Sequence, residues 1–292
     1  MTAIQSLSVT TQRRVLLAGF YRDALGFEIL GDSRREAREV AATLGVTGGA
    51  TVTAVRLGDQ FVELVEFDAP GRAYPEDALA TDALFQHFAI VVADMRAAYT
   101  RLARAPGWRS ITLRGPQSLP ASSGGVTAFK FRDPEGHPLE LLAFPAVRAP
   151  APWRNVASGD VCLGIDHTAI DVTDTERSRS FYEALGFSVT GGSLNQGGPQ
   201  QRLDGAPDAL VQVTAMAASD APPHLELLCY RRPAMRAWVI DNNDVAATRI
   251  VIEAESEGFR VDPDGHRLTL APRAPGRLTS AQSPSIPGAA PC

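Results

Sequence analysis

Phe20-Tyr21-Arg22-Asp23-Ala24-Leu25-Gly26-Phe27 returns, one residue shorter, as Phe181-Tyr182-Glu183-Ala184-Leu185-Gly186-Phe187. Each copy reads as the apolar face of a helix, with Gly26 and Gly186 placed where a left-handed stop is expected. Working outward, two further stretches repeat. His87-Phe88-Ala89-Ile90-Val91-Val92-Ala93-Asp94 comes back as His167-Thr168-Ala169-Ile170-Asp171-Val172-Thr173-Asp174. Arg132-Asp133-Pro134-Glu135-Gly136-His137-Pro138-Leu139 comes back as Val261-Asp262-Pro263-Asp264-Gly265-His266-Arg267-Leu268. A fourth pattern occurs as Val62-Glu63-Leu64-Val65, Leu139-Glu140-Leu141-Leu142 and Leu225-Glu226-Leu227-Leu228. Recurrence of several patterns makes the repeat, not any single motif, the unit of interpretation.

Each repeat reads as one supersecondary unit. It opens with an alternating strand: in 86–93, His87, Ala89 and Val91 face one way and Phe88, Ile90 and Val92 the other. Asp94 and Asp174 stand at N-cap positions, and Met95, Ala98, Tyr99 and Leu102 follow at helical spacing. Three strands come next, the last two joined by a tight turn at 133–136. The order predicts an α+β chain of βαβββ modules at 3–67, 84–145, 163–230 and 244–271. Ser6 to Glu63, His87 to Glu140 and His167 to Glu226 are nearly equal in length. The stretch from Ala247 to Thr269 is less than half as long, so either the fourth module has lost its helix and middle strands or the C-terminal reading is not native sequence. Proline-bearing connectors fill 68–83 and 146–160. The expected domains are 1–147, holding the first two modules, and 161–271, with a truncated last module. They are joined by a linker at 148–160 and followed by a disordered tail at 272–292.

Composition narrows the function classes. At roughly 150 residues per domain, 292 residues suit two domains. A hydrophobic share of 45% with 21% charged residues supports packed cores and excludes wholesale disorder. Net charge is −5, and the 28 basic residues, of which only Lys130 is lysine, form no dense run, which argues against a nucleic-acid partner. Cys162, Cys229 and Cys292 are too few and scattered for a disulfide framework. The longest apolar run, 88–93, is far below the roughly 20 residues a membrane span needs, and the first residues carry no apolar signal core. The expectation is a cytoplasmic protein, monomeric or homodimeric, with a small-molecule ligand and no membrane partner.

The module, with its Phe20–Phe27 motif and its Arg132–Leu142 hairpin, resembles the vicinal oxygen chelate superfamily of glyoxalases, bleomycin-resistance proteins and extradiol dioxygenases. The likeness is good over 3–145 and 163–230 and poor over 244–271. It implies that two modules pair so that their strands curl into a cup, with metal ligands on the first and last strand of each. Carried over to the N-terminal half, those positions are Ser6, Glu63, His87 and Glu140. Ser6 departs from the ligand pattern, which leaves Glu63, His87 and Glu140 as the expected metal set, with Glu63 and Glu140 as catalytic candidates. A glutamate amid apolar strand residues is costly to bury unless paired or metal-bound. A pairing with arginine or a solvated face is the competing reading. The C-terminal half offers a second set, His167, His224 and Glu226, in which alternation aims the last two the same way.

Two carboxylates and an imidazole suit a divalent ion such as Fe2+, Mn2+, Ni2+, Zn2+ or Co2+. The resemblance therefore implies a metal-dependent lyase, isomerase, epimerase or dioxygenase acting on a small oxygenated metabolite. Extradiol cleavage uses two histidines and one carboxylate, and the N-terminal half lacks the second histidine. The alternative is a metal-free protein of the same fold that sequesters a small molecule, favoured by Ser6 and by the eroded fourth module. His137 and His266, inside the repeated hairpins, read as turn chemistry.

Overall fold

The computed structural model describes residues 2–154 and 159–272; the centre of the expected linker and all but the first residue of the expected tail lie outside them. The first module comprises β1 (Ile4–Thr10), α1 (Arg14–Phe20), β2 (Glu28–Arg35), α2 (Ala37–Leu44), β3 (Ala50–Leu57) and β4 (Gln60–Phe67). The second comprises β5 (Gln86–Val92), α3 (Met95–Ala103), the short β6 (Arg109–Ser110) and β7 (Gln117–Ser118), β8 (Thr127–Arg132) and β9 (Pro138–Ala143). The third holds β10 (Cys162–Asp171), α4 (Thr175–Ala184), β11 (Ser188–Gln196), α5 (Gly198–Asp204), β12 (Leu210–Ala217) and β13 (His224–Arg232). The fourth keeps only β14 (Arg249–Glu253), β15 (Gly258–Val261) and β16 (Arg267–Ala271). It has lost its helix, as expected, but retains one middle strand.

Local signals behave as their chemistry requires. The Asp94 carboxylate accepts from the Ala97 N–H, and that of Asp174 from the N–H groups of Glu176 and Arg177. Gly26 and Gly186 end their helices at φ +82° and +93°. The extra residue in Phe20–Phe27 is absorbed by a π-helical turn over Tyr21–Leu25 that continues α1. One inserted residue widens one turn and leaves the flanking aromatics in place.

The modules do not pair in sequence order. One curled sheet of seven strands runs β15-β16-β14-β1-β4-β3-β2 and joins the first module to the fourth; the other, of nine, runs β11-β12-β13-β10-β5-β9-β8-β6 with β7 also paired to β8, and joins the third to the second. Residues 1–147 therefore do not build one cup and residues 161–271 another, a correction to the expected division. Within each sheet the two modules meet at an antiparallel seam, β1 with β14 and β5 with β10.

The repeated motifs explain the crossing. The Tyr21 hydroxyl, on the helix of the first module, donates to Asp133 in the hairpin of the second. His137 bonds Asp133 through Nδ1 at 2.8 Å and, through Nε2, the Thr10 carbonyl of β1 at 2.8 Å. The same device recurs as Tyr182 to Asp262 at 3.0 Å, with His266 Nε2 on the Asp171 carbonyl of β10 at 2.7 Å. The first module is thus clamped to the second, and the third to the fourth, across the two sheets, which leaves the seams to the first with the fourth and the second with the third. One apolar core lies between the sheets, built from Tyr21, Phe88, Ile90, Phe129, Leu141, Tyr182, Ile250 and Leu268 among others.

The opposite faces differ. On the seven-stranded sheet α2 lies across the strands and packs Val40 and Leu44 on Val52, Val65 and Phe67. On the nine-stranded sheet α5 sits to one side, with Leu203 on Ala128 and Leu142. A cavity of about 310 Å3 remains there.

Candidate metal centre

The cavity in the nine-stranded sheet opens over four side chains. His87 on β5 and Glu140 on β9 come from the second module; His167 on β10 and Glu226 on β13 come from the third. Register places them: Ala89 is paired with Glu140 and with His167, while Ala169 is paired with Glu226 and with His87. Each histidine thus stands two residues from the alanine opposite its module's glutamate, and all four share one face. His87 Nε2 lies 2.9 Å from Glu140 Oε2, and His167 Nε2 lies 3.5 Å from Glu226 Oε2. The imidazole centroids are 6.0 Å apart. Ligand atoms of His87, Glu140 and His167 all fall within 4.8 Å of one another.

Burial and neighbours set the charges. Desolvation dominates at His87 and, against the pull of Glu140, takes its pKa down to about 4, so the ring is neutral. Burial would raise Glu140, but the His87 hydrogen bond and the charges of Lys130 and His167 hold it near 2. For His167 burial is outweighed by the Glu226 charge and by Asp166, and the pKa rises to about 9. Burial raises Glu226, partly offset by His167. The second nitrogen of His87, Nδ1, is buried without a partner.

Asp166 is a part of the site that alternation hides. A β-bulge in β10 between Ile165 and His167 brings consecutive residues to one side. Asp166 Oδ2 accepts from His167 Nδ1 at 2.9 Å, and its other oxygen takes the Trp153 indole N–H. A carboxylate on the outer nitrogen fixes the tautomer that points Nε2 inward. The only sequence signal was Asp166 standing next to a strand histidine.

The expected set Glu63, His87 and Glu140 is not brought together. Glu63 lies in the seven-stranded sheet, where Arg35 Nη2 meets its Oε1 at 2.6 Å. The second set also divides: His167 and Glu226 join the cluster, whereas His224 is not among the residues lining the cavity. Two residues of each set of three make one site, because the seam joins the second module to the third. The residues equivalent to these four positions in the other sheet are Ser6, Glu63, Arg249 and Thr269, since Ser8 pairs with Arg249 and with Glu63, and Val251 with Ser6 and with Thr269. Ser6, the residue that favoured a metal-free reading, is therefore remote from the site.

A family model described as the glyoxalase/bleomycin resistance protein/dioxygenase superfamily matches residues 17–141 and 164–276. The chain belongs to this superfamily. No curated relative matches the superfamily member in sequence. Among solved structures it is similar to glyoxalase I from Zea mays, at 18% identity and TM-score 0.54, covering 93% of this chain and 92% of that one. A point mutant of the maize protein gives 16% identity, TM-score 0.59 and coverage of 93% and 92%. A candidate dioxygenase from Bacillus subtilis gives 12% identity, TM-score 0.54 and coverage of 94% and 86%. These likenesses span both halves and establish the tandem glyoxalase-like fold. Among the described residues no helix is long and apolar enough to cross a membrane.

The donor set fits a divalent ion. Two imidazoles and the Glu140 carboxylate converge within 4.8 Å, the Glu226 carboxylate stands 3.5 Å from His167, and among the described residues no arginine pairs with either carboxylate.

Proposed function

We propose that this chain is a divalent-metal-dependent enzyme of the lyase or isomerase kind, moving a proton on a carbon beside a carbonyl in a small oxygenated substrate. The observation that carries the reading is the meeting of His87, Glu140 and His167 within 4.8 Å, with Glu226 beside His167. His87, Glu140 and His167 would hold the ion, with Glu226 beside them. When bound, it supplies Lewis-acid polarisation of adjacent substrate oxygens and so acidifies the neighbouring C–H.

The chain's own groups divide the remaining work. Glu140 has only 8% of its side chain exposed and is tied to His87, so it serves as a fixed ligand. Glu226, with 27% exposed on the cavity wall, is the carboxylate with room to take a proton from carbon and return it. Asp166 holds His167 in orientation. Leu142, Phe144 and Val213 make an apolar wall that limits water around the reacting carbon. Ring cleavage by a dioxygenase of this superfamily needs two histidines and one carboxylate. His87, His167 and Glu140 have that composition, and it is Glu226, a second carboxylate beside them that ring cleavage does not need, that favours proton transfer.

The test is elemental analysis of purified protein, with melting temperature measured as Ni2+, Zn2+, Co2+, Mn2+ or Fe2+ is added. About one equivalent of metal and a rise in melting temperature are expected, because binding to the native state alone stabilises it. Neither metal nor a rise would retire the enzyme reading in favour of a metal-free binder.

A further inference from the structure

The cavity ends in a second polar group that the metal reading does not use. Lys130 on β8 stands opposite Glu140 on β9, so its side chain enters the same face, and it is only 3% exposed. Its ammonium donates to Asp204 Oδ1 at 2.8 Å and lies 5.8 Å from the centre of the Phe85 ring. Gln200, one turn earlier on α5, donates its Nε2 to Asp204 Oδ2 at 2.7 Å. That bond leaves Gln200 Oε1 buried with no partner, and the Tyr230 hydroxyl is buried without one as well. Burial, and after it the charges of Asp204 and Asp171, raise the Tyr230 phenol. Among the described residues Lys130 makes no second hydrogen bond, so two of its three N–H donors are unused. Lys130, Gln200 and Tyr230 all line the cavity.

Charge and donor count select the ligand. The cavity wall carries the carboxylates of Glu140, Asp166 and Glu226 against the His167 imidazole, already paired with Asp166, and the Lys130 ammonium, already matched by Asp204. An incoming carboxylate or phosphate would add to the negative side and would set an acceptor against Gln200 Oε1. A hydroxyl meets both needs: its oxygen accepts from the Lys130 or Tyr230 donor while its proton goes to Gln200 Oε1. A volume of about 310 Å3 admits only a short molecule between this end and the ligand cluster.

We infer that Lys130, Gln200 and Tyr230 form a hydroxyl-recognition subsite, and that the substrates are short, neutral, hydroxyl-bearing carbonyl compounds. The second half of this inference rests on the metal-centre reading; the subsite itself needs no ion. Because Lys130 is the only lysine, protein made with [ε-13C]lysine gives one side-chain signal that reports the subsite. Dihydroxyacetone and erythrulose are titrated as neutral probes, glycerate and glyoxylate as anionic ones, with and without Zn2+. Saturable movement of the signal by the neutral probes and none by the anions is expected. Tyr230→Phe removes a hydroxyl that has no partner in the free protein, and it should weaken the neutral probes about three- to tenfold. Zinc affinity, measured by calorimetry with zinc alone, should not change. A signal unmoved by the neutral probes, moved equally by the anions, or unaffected by Tyr230→Phe would overturn the subsite. Zinc binding with a still signal removes the subsite alone; a moving signal without zinc binding removes the metal reading alone.

Discussion

The two sheets are copies of one plan in which matching strand positions hold different chemistry. In the nine-stranded sheet the four inward positions are His87, Glu140, His167 and Glu226, and α5 stands aside from them. In the seven-stranded sheet they are Ser6, Glu63, Arg249 and Thr269, and α2 covers them. Arg249 is fully buried, and its guanidinium donates to the carbonyls of Leu44, Asn242 and Ala247 and to Thr10 Oγ1. A fixed organic cation thus ends α2 at its C-terminus, where a positive charge is favourable. Thr269 Oγ1 donates to the Thr43 carbonyl of the same helix. The difference teaches that the curled sheet supplies equivalent positions, while the cover helix and four side chains decide whether a cup becomes a site or a second core.

That contrast can be broken by substitution. The largest effect is expected from His87→Ala and Glu140→Ala, which should cut metal affinity by more than about 100-fold, beyond the usual cost of losing an outer-shell partner. Equilibrium dialysis with Zn2+ checks this, and circular dichroism checks that the fold survives. Arg249→Ala should destabilise the protein by about 3–5 kcal/mol in urea unfolding, since it leaves a cavity and the carbonyls of Leu44 and Asn242 without a donor. Zinc binding by the folded fraction should be unaffected, and a loss of zinc there would mean that the sheets are coupled.

Asp166→Asn should weaken metal binding by about 10- to 100-fold, because the ring of His167 loses its anionic partner. A smaller effect follows pH through the clamp between the sheets. The neighbouring Asp133 raises His137 against the effect of burial, so the clamp contributes fully below pH 6.5 and is lost as pH rises through the raised value. His137→Gln should flatten that alkaline decline in thermal stability, while an unchanged slope would place its origin elsewhere. The smallest change is expected at Glu63. Its pair with Arg35 is partly solvated, so Glu63→Gln should cost under about 1 kcal/mol and leave zinc binding intact.

Much of this was legible in the chain itself. The capping aspartates and the glycine stops follow local rules that hold wherever the segment sits, and each is found in its expected role, whereas the hairpin histidines, read as turn chemistry, also reach across to the other sheet. His87, Glu140, His167 and Glu226 were all identifiable as strand residues in ligand positions. Their grouping was not, because Glu63 and Glu226 stand in equivalent patterns and differ only in which module lies across the seam. Asp166 was hidden by a bulge that breaks the period of two, and Arg249 by a module too short to align.

The sequence alone determined the repeating module, the faces of its strands and the residue types able to bind a metal, because periodicity and turn chemistry act over a few residues. The tertiary structure decided that the second module pairs with the third and the first with the fourth. That choice depends on contacts between residues far apart in the chain, the Tyr21–Asp133 and Tyr182–Asp262 clamps among them, and no local pattern encodes which partner is across the seam.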